Sequence, residues 1–235
     1  MSSHRFLFYR PDTTESDTTV TLEGEEHHHL ARVLRLRPGE DAFVTDGRGL
    51  VAECTVERID SESTELAMRR VRREADPPEV TLALALLKKD RFAQALEQTV
   101  ELGVTRCLPF VAERSKVRNY EARTVERMQR VALSAMKQSF RPWLAGVEEP
   151  VDLDAVLAAA AEADDVIVGE QGGEKWSPRA PARGTMVVVG PEAGLTDGEI
   201  EALCGVGGQA VRVSRQRLRS ETAAVALVAA ILQHD

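Results

Sequence analysis

The chain has 235 residues, 43% of them hydrophobic and 29% charged, with a formal net charge of −8. That length suits two modest domains or one large one, and the composition is that of a folded globular protein, which excludes disordered and fibrous classes. No apolar run approaches the ~20 residues that span a bilayer, and the N-terminal stretch lacks a signal-peptide core, so membrane insertion and export are not expected and the cytoplasm is.

Residues 1–73 read as a small β-rich domain. Thr18–Leu22 and Asp41–Thr45 alternate in the manner of half-buried strands. Residues 25–36 are helical in character and stop at Pro38-Gly39. Asp46-Gly-Arg-Gly49 is a turn between two strand-like runs, so a hairpin is expected there. Glu65–Val71 adds a further strand, and short strands around one helix imply a small barrel.

Consecutive prolines at Pro77 and Pro78 continue neither regular element and mark a linker. From residue 74 to 235 strands and helices alternate. Val80-Thr-Leu-Ala-Leu-Ala-Leu-Leu87 is an unbroken apolar run, the pattern of a strand buried on both faces. Residues 90–102, 121–137, 152–163 and 220–233 read as helices. Residues 107–111, 166–168, 186–189 and 210–213 read as short strands. The order predicts an α/β domain with a mostly parallel sheet.

The charge is unevenly placed. Residues 115–141 carry seven Lys/Arg against two acids, and residues 211–220 carry four Arg and no acid, whereas residues 143–200 hold twelve acids against three bases. A local basic face on an acidic protein still binds phosphates, because charge is screened only beyond ~8 Å. Solvated helix faces give the same pattern, so charge alone does not decide for RNA.

Cys54, Cys107 and Cys204 are odd in number and never form a Cys-x-x-Cys pair, as expected of buried thiols in a reducing compartment. His27, His28 and His29 are consecutive, which does not place them on one helix face, and read as an exposed helix turn with no metal. Gly47-Arg-Gly49 precedes a strand rather than a helix and is no dinucleotide loop.

Two segments carry the chemistry. Val187-Val-Val-Gly-Pro-Glu-Ala-Gly194 leaves a strand through a Gly-containing turn, where backbone groups approach a ligand closely. Thr196-Asp-Gly-Glu199 then fits a capping box and starts a helix. Arg215, Arg217 and Arg219 stand beside Glu221, with Ser220 as the expected N-cap of an apolar helix. An ordinary tight turn and an ion pair at a helix start are the simpler accounts of each segment taken alone.

Together these segments resemble the SPOUT RNA methyltransferases, and within them the 16S rRNA uridine-N3 methyltransferase (RsmE) family. That family has Gly-Pro-Glu-Gly-Gly and Leu-Arg-x-Glu-Thr-Ala; this chain has Gly190-Pro-Glu-Ala-Gly194 and Leu218-Arg-Ser-Glu-Thr-Ala223. Further likeness lies at Glu97-Gln-Thr-Val-Glu-Leu-Gly103, Glu113-Arg-Ser115, Ala135-Met-Lys-Gln-Ser139 and His29-Leu-Ala-Arg-Val-Leu-Arg35. The chain departs at Ala193, which replaces the second Gly of the turn, and at Lys137 and Phe140, where Glu and Gly stand in many relatives.

The resemblance implies a trefoil-knotted SPOUT sheet over residues 74–235, a PUA-like β-barrel over residues 1–73, and a homodimer. It implies S-adenosyl-L-methionine as cofactor, held by Gly169, Gly190, Gly194, Leu195, Val213, Ser214 and Leu218. The implied substrate is 16S rRNA of the small ribosomal subunit. Glu221 is the candidate base for the uracil proton, and Arg219 and Arg217 the candidate stabilisers of the uracil anion. Arg5, Arg10, Arg32, Arg35, Lys116, Arg118 and Arg141 are candidate phosphate contacts, and Phe140 and Trp143 candidate stacking platforms, with core packing the simpler role for both. Other SPOUT specificities, such as ribose 2′-O-methylation, and a non-catalytic RNA-binding ribosome-assembly protein are the alternatives.

Overall fold

The computed structural model describes residues 6–179 and 182–232; Arg5 lies outside them. The chain divides into two units, Met1–Asp76 with Met136–Leu144, and Pro77–Ala135 with Ala145–Asp235.

The first unit contains β1 (Leu7–Tyr9), β2 (Thr19–Glu23), a short helix α1 (Gly24–His28), β3 (Asp41–Thr45), β4 (Leu50–Ile59) and β5 (Ser63–Arg73). They form one sheet in the order β1-β3-β4-β5-β2. Strands β3, β4, β5 and β2 pair antiparallel, and β1 pairs parallel with β3. Register shifts between Glu53 and Cys54 and between Val56 and Arg58 bend the long β4–β5 ribbon, because a bulge raises local twist. The sheet curls round a core that includes Phe8, Leu22, Leu30, Leu50 and Leu66.

The helix expected over residues 25–36 is divided. α1 runs into a wider π-helical segment, His29–Leu34, which ends at Arg35 with a left-handed φ of 56°. The exposed reading of the histidines fails at His27, which is buried with its Nδ1 2.8 Å from the Thr64 hydroxyl. The expected hairpin is present: Thr45 pairs with Val51, and the Asp46 carboxylate accepts the N–H of Arg48 and of Leu50 at 2.7 and 3.1 Å. Gly49 sits at φ 95° against Trp143, where a Cβ would lie 2.4 Å from the indole.

Two of the three departures from the resembled pattern, Lys137 and Phe140, fall in this unit. Lys137 pairs with Glu26, each largely shielded from solvent. Phe140 has φ 57°, the region that favours glycine, and its ring meets Phe43 edge-on at 5.0 Å. Its aromatic packing offsets a backbone shape that costs a bulky residue energy.

The second unit contains β6 (Glu79–Ala85), α2 (Lys89–Leu102), β7 (Arg106–Phe110), α3 (Ala122–Gln138, whose last three residues belong to the first unit), β8 (Gly146–Val147), α4 (Leu153–Glu162), β9 (Asp165–Lys175), β10 (Gly184–Val189), α5 (Asp197–Gly205), β11 (Gly208–Arg212) and α6 (Ser220–Leu232). The six strands form a sheet in the order β11-β9-β10-β6-β7-β8, with every pairing parallel. Alternate residues of the apolar run face opposite layers, as expected of a doubly covered strand. Leu82 and Leu84 pack with Phe92, Leu96, Met128 and Leu227 of the helices on one face. Ala83 and Ala85 pack with Val156, Ala160 and Leu203 on the other.

Cys54 and Cys107 are buried as expected, but Cys204 is exposed at the end of α5. Among the described residues, no helix is long and apolar enough to cross a membrane.

Candidate active site

The parallel sheet carries one local irregularity that builds a site. On β11, Ala210 pairs with Val168 of β9, yet the next residue, Val211, pairs with Glu174. Residues 169–173 therefore bow out of the ladder, and Gly169, Glu170 and Gln171 form one wall of a cavity of about 350 Å³. The second wall is the turn 190–194 after β10, and the third is the loop from Val213 to Leu218 before α6. The carboxyl ends of adjacent parallel strands are the expected place for such a cleft.

Side chains tie these walls together through backbone carbonyls. Gln171 donates to Arg215 O at 3.1 Å, Arg217 to Glu192 O at 3.2 Å and Arg114 to Leu195 O at 2.9 Å. Below the turn, Thr196 and Glu199 form the capping box that the sequence predicts for α5. Glu199 does more than cap: one oxygen accepts Thr196 N–H and the other accepts Glu113 N–H, both at 2.7 Å. That shared carboxylate anchors the Glu113-Arg114-Ser115 segment beside the cavity.

Gly169, Gly190, Gly194, Leu195, Val213, Ser214 and Leu218 all line this one cavity. Gly194 has φ 79° and open space where a Cβ would point, whereas a Cβ on Gly190 would lie 2.9 Å from Leu195 Cγ. Ala193 is absent from the positive-φ positions, so its methyl group carries no backbone penalty.

The three candidate catalytic residues are placed differently. Arg217 lines the cavity. Glu221 lies in the first turn of α6, only 7% exposed. Arg219 is exposed, and its carbonyl accepts the Ala223 N–H at 2.8 Å. The helix opens at residue 220, as expected, but Ser220 is its buried first residue rather than its cap.

Glu170, Gln171, Glu192 and Arg114 line the cavity without having been singled out, and Arg91 stands outside the lining beside Glu192. Arg91, on α2, approaches both Glu221 and Glu192. Its position in the sequence, one charge among many at a helix start, gives no sign of that. Nearby Tyr120 is buried, which pushes its phenol above the ordinary range, and it donates to Leu87 O at 2.6 Å.

The candidate phosphate contacts are spread over both units. Arg32 and Arg35 are exposed around the π-helical segment, and Arg10 is half-buried beyond β1. Arg141 is half-buried, and that burial lowers its pKa. Lys116 and Arg118 are exposed in the second unit, where Arg118 donates to Ala112 O at 3.0 Å. Phe140 and Trp143 are both engaged in packing, against Phe43 and Gly49.

Known proteins resemble this chain in sequence and fold. A family model for the RNA methyltransferase domain matches residues 74–232, and one for the RNA methyltransferase PUA domain matches residues 22–66. The ribosomal RNA small subunit methyltransferase E of Mycobacterium bovis is 32% identical over 96% of this chain and 90% of its own length. This chain belongs to the ribosomal RNA small subunit methyltransferase E family. The Synechocystis member is 30% identical, covering 92% of this chain and 73% of its own. A crystal structure of the Neisseria gonorrhoeae methyltransferase E, bound to S-adenosyl methionine, is 28% identical. It superposes with a TM-score of 0.84 over 97% of this chain and 96% of its own. The chain thus carries a parallel-sheet α/β RNA methyltransferase domain and a curled PUA-type sheet, as the resemblance implied.

Proposed function

We propose that this protein transfers a methyl group from S-adenosyl-L-methionine to N3 of a uridine in 16S rRNA of the small ribosomal subunit, in the cytoplasm and as a homodimer. The observation that carries the reading is the cavity in which residues 169–171, 190–195, 213–214 and 216–218 converge, in a chain of the methyltransferase E family. Its lining fits an adenosine-type cofactor. Leu195, Ile200, Val213 and Leu218 supply apolar walls, Glu170, Glu192 and Asp197 supply acceptors, and the open left-handed Gly194 leaves the entrance clear.

The cofactor supplies an electrophilic methyl group, so this chain has to orient the uracil and take its N3 proton. Glu221 is the base in this reading, held in the first turn of a helix whose dipole favours its anion. Arg217 at the cavity wall and Arg219 beside it stabilise the negative charge that develops on the uracil ring. Arg10, Arg32, Arg35, Lys116, Arg118 and Arg141 hold phosphates and set register rather than chemistry. The assigned domains are residues 1–73 for RNA placement and 74–235 for transfer.

Calorimetric titration of the purified protein with S-adenosylmethionine is the first test. Saturable binding is expected, followed by incorporation of one methyl group into unmethylated small subunits and recovery of 3-methyluridine on nucleoside mass spectrometry. No heat at millimolar cofactor from a folded protein would remove the enzyme reading, and a methyl group on ribose would remove the N3 assignment.

A further inference from the structure

Glu221 presents an imbalance that the cavity does not resolve. Its Oε2 is buried with no hydrogen-bond partner among the described residues. A buried carboxylate oxygen without a donor is costly, and such an atom needs an explanation. The other oxygen, Oε1, has a cation beside it: Arg91 Nε at 3.8 Å. The same guanidinium reaches Glu192 Oε1 from Nη1 at 4.0 Å. One arginine on the first turn of α2 thus stands between a carboxylate of the cavity turn and a carboxylate at the head of α6. Arg217, donating to the Glu192 carbonyl at 3.2 Å, closes the ring from the α6 side.

These contacts are not what holds α2 against α6. Phe92, Leu96 and Val100 already share a buried apolar cluster with Ala224, Leu227 and Ile231. Arg91 is 38% exposed at the side chain, and a screened pair at nearly 4 Å adds little to stability. Its effect is directional. Attraction at Oε1 turns that oxygen toward α2, so Oε2 is left as the acceptor without a donor.

We propose that Arg91 is a positioning residue for methyl transfer, fixing Glu221 so that Oε2 accepts the N–H of the target base. The proposal rests on the reading of Glu221 as base. The step balances: the N3 proton passes to Glu221 Oε2, and the N3 electron pair forms the bond to the methyl carbon as the carbon–sulfur bond breaks. The products are N3-methyluridine, neutral S-adenosylhomocysteine and a protonated Glu221 that returns its proton to water.

The test compares Arg91→Gln, Arg91→Lys and Glu221→Gln in steady-state methylation of small subunits, with cofactor affinity read separately by calorimetry. Arg91→Gln should lower kcat by at least about tenfold, part of the 10²–10⁴ that a positioned base supplies. Cofactor Kd and RNA KM should stay within about threefold, and Arg91→Lys should recover much of the lost kcat. Wild-type kcat in Arg91→Gln overturns the proposal, and so does a loss that falls in Kd or KM with kcat intact. Should Arg91→Gln not fold, Arg91→Met keeps the apolar stem and is read against the same criteria. Glu221→Gln separates the two levels. If it keeps full kcat, the base reading itself fails; if it is inactive while Arg91→Gln is not, only the role of Arg91 fails.

Discussion

Gly173 lies so close to Ala210 that a Cβ on it would stand 2.6 Å from the Ala210 carbonyl oxygen. This contact is where β9 rejoins β11 after bowing out around the cavity, and Arg212 donates to the Gly173 carbonyl at the same place. Gly173→Ala should therefore push the two strands apart. Overpacking of this kind costs about 1–3 kcal/mol, or roughly 2–4 °C of Tm for each kcal/mol in a chain of this size. Thermal melting checks the stability loss and calorimetry checks a parallel loss of cofactor affinity. A variant with unchanged Tm would show that the strands separate freely.

Gly194 offers a cleaner separation of backbone from cavity, since it combines φ 79° with open space at the Cβ position. Gly194→Ala should cost about 1 kcal/mol for a left-handed alanine and leave cofactor affinity nearly intact. Gly194→Arg adds a long side chain at the wall, and should weaken S-adenosylmethionine binding by at least about tenfold. Equal affinities for the two variants in calorimetry would place the cofactor elsewhere.

The same glycine shows what a sequence reveals and what it hides. The strand Val187-Val-Val189, the turn after it and the capping box at Thr196 are legible because each depends on neighbours in the chain. The buried alternation of β6 is legible for the same reason. The five-residue bow between Val168 and Glu174 is not, because it exists only relative to β11, some forty residues on. Residues 166–168 read as a short strand, while β9 runs on to Lys175. Arg91 was hidden for a like reason, being paired with partners about 100 and 130 positions away. His27 looked like a surface residue until Thr64, across the curled sheet, supplied its hydrogen-bond partner.

The three thiols should separate sharply in reactivity. Burial pushes the Cys54 and Cys107 thiols up to about 12, while Cys204 is exposed. At pH 8 a thiol with that pKa is roughly 10⁻⁴ thiolate, and thiolate is the reactive form. Titration of the native protein with a chromogenic disulfide reagent should count one thiol, and three after denaturation. Two or more rapid thiols in the native state would contradict the burial of the first two.

Lys137 and Glu26 should behave as a coupled pair. Both side chains are mostly shielded, at 20% and 15% exposure, and Glu26 also accepts the Tyr9 N–H at 3.3 Å. Lys137→Glu puts a second carboxylate against Glu26 and should cost about 1–3 kcal/mol. The burden is repulsion and not lost packing, so reversing both charges with Glu26→Lys should recover much of it, short of the part due to Tyr9. A double-mutant cycle in urea gives the coupling directly. Strictly additive effects would mean that the pair contributes nothing beyond its separate side chains.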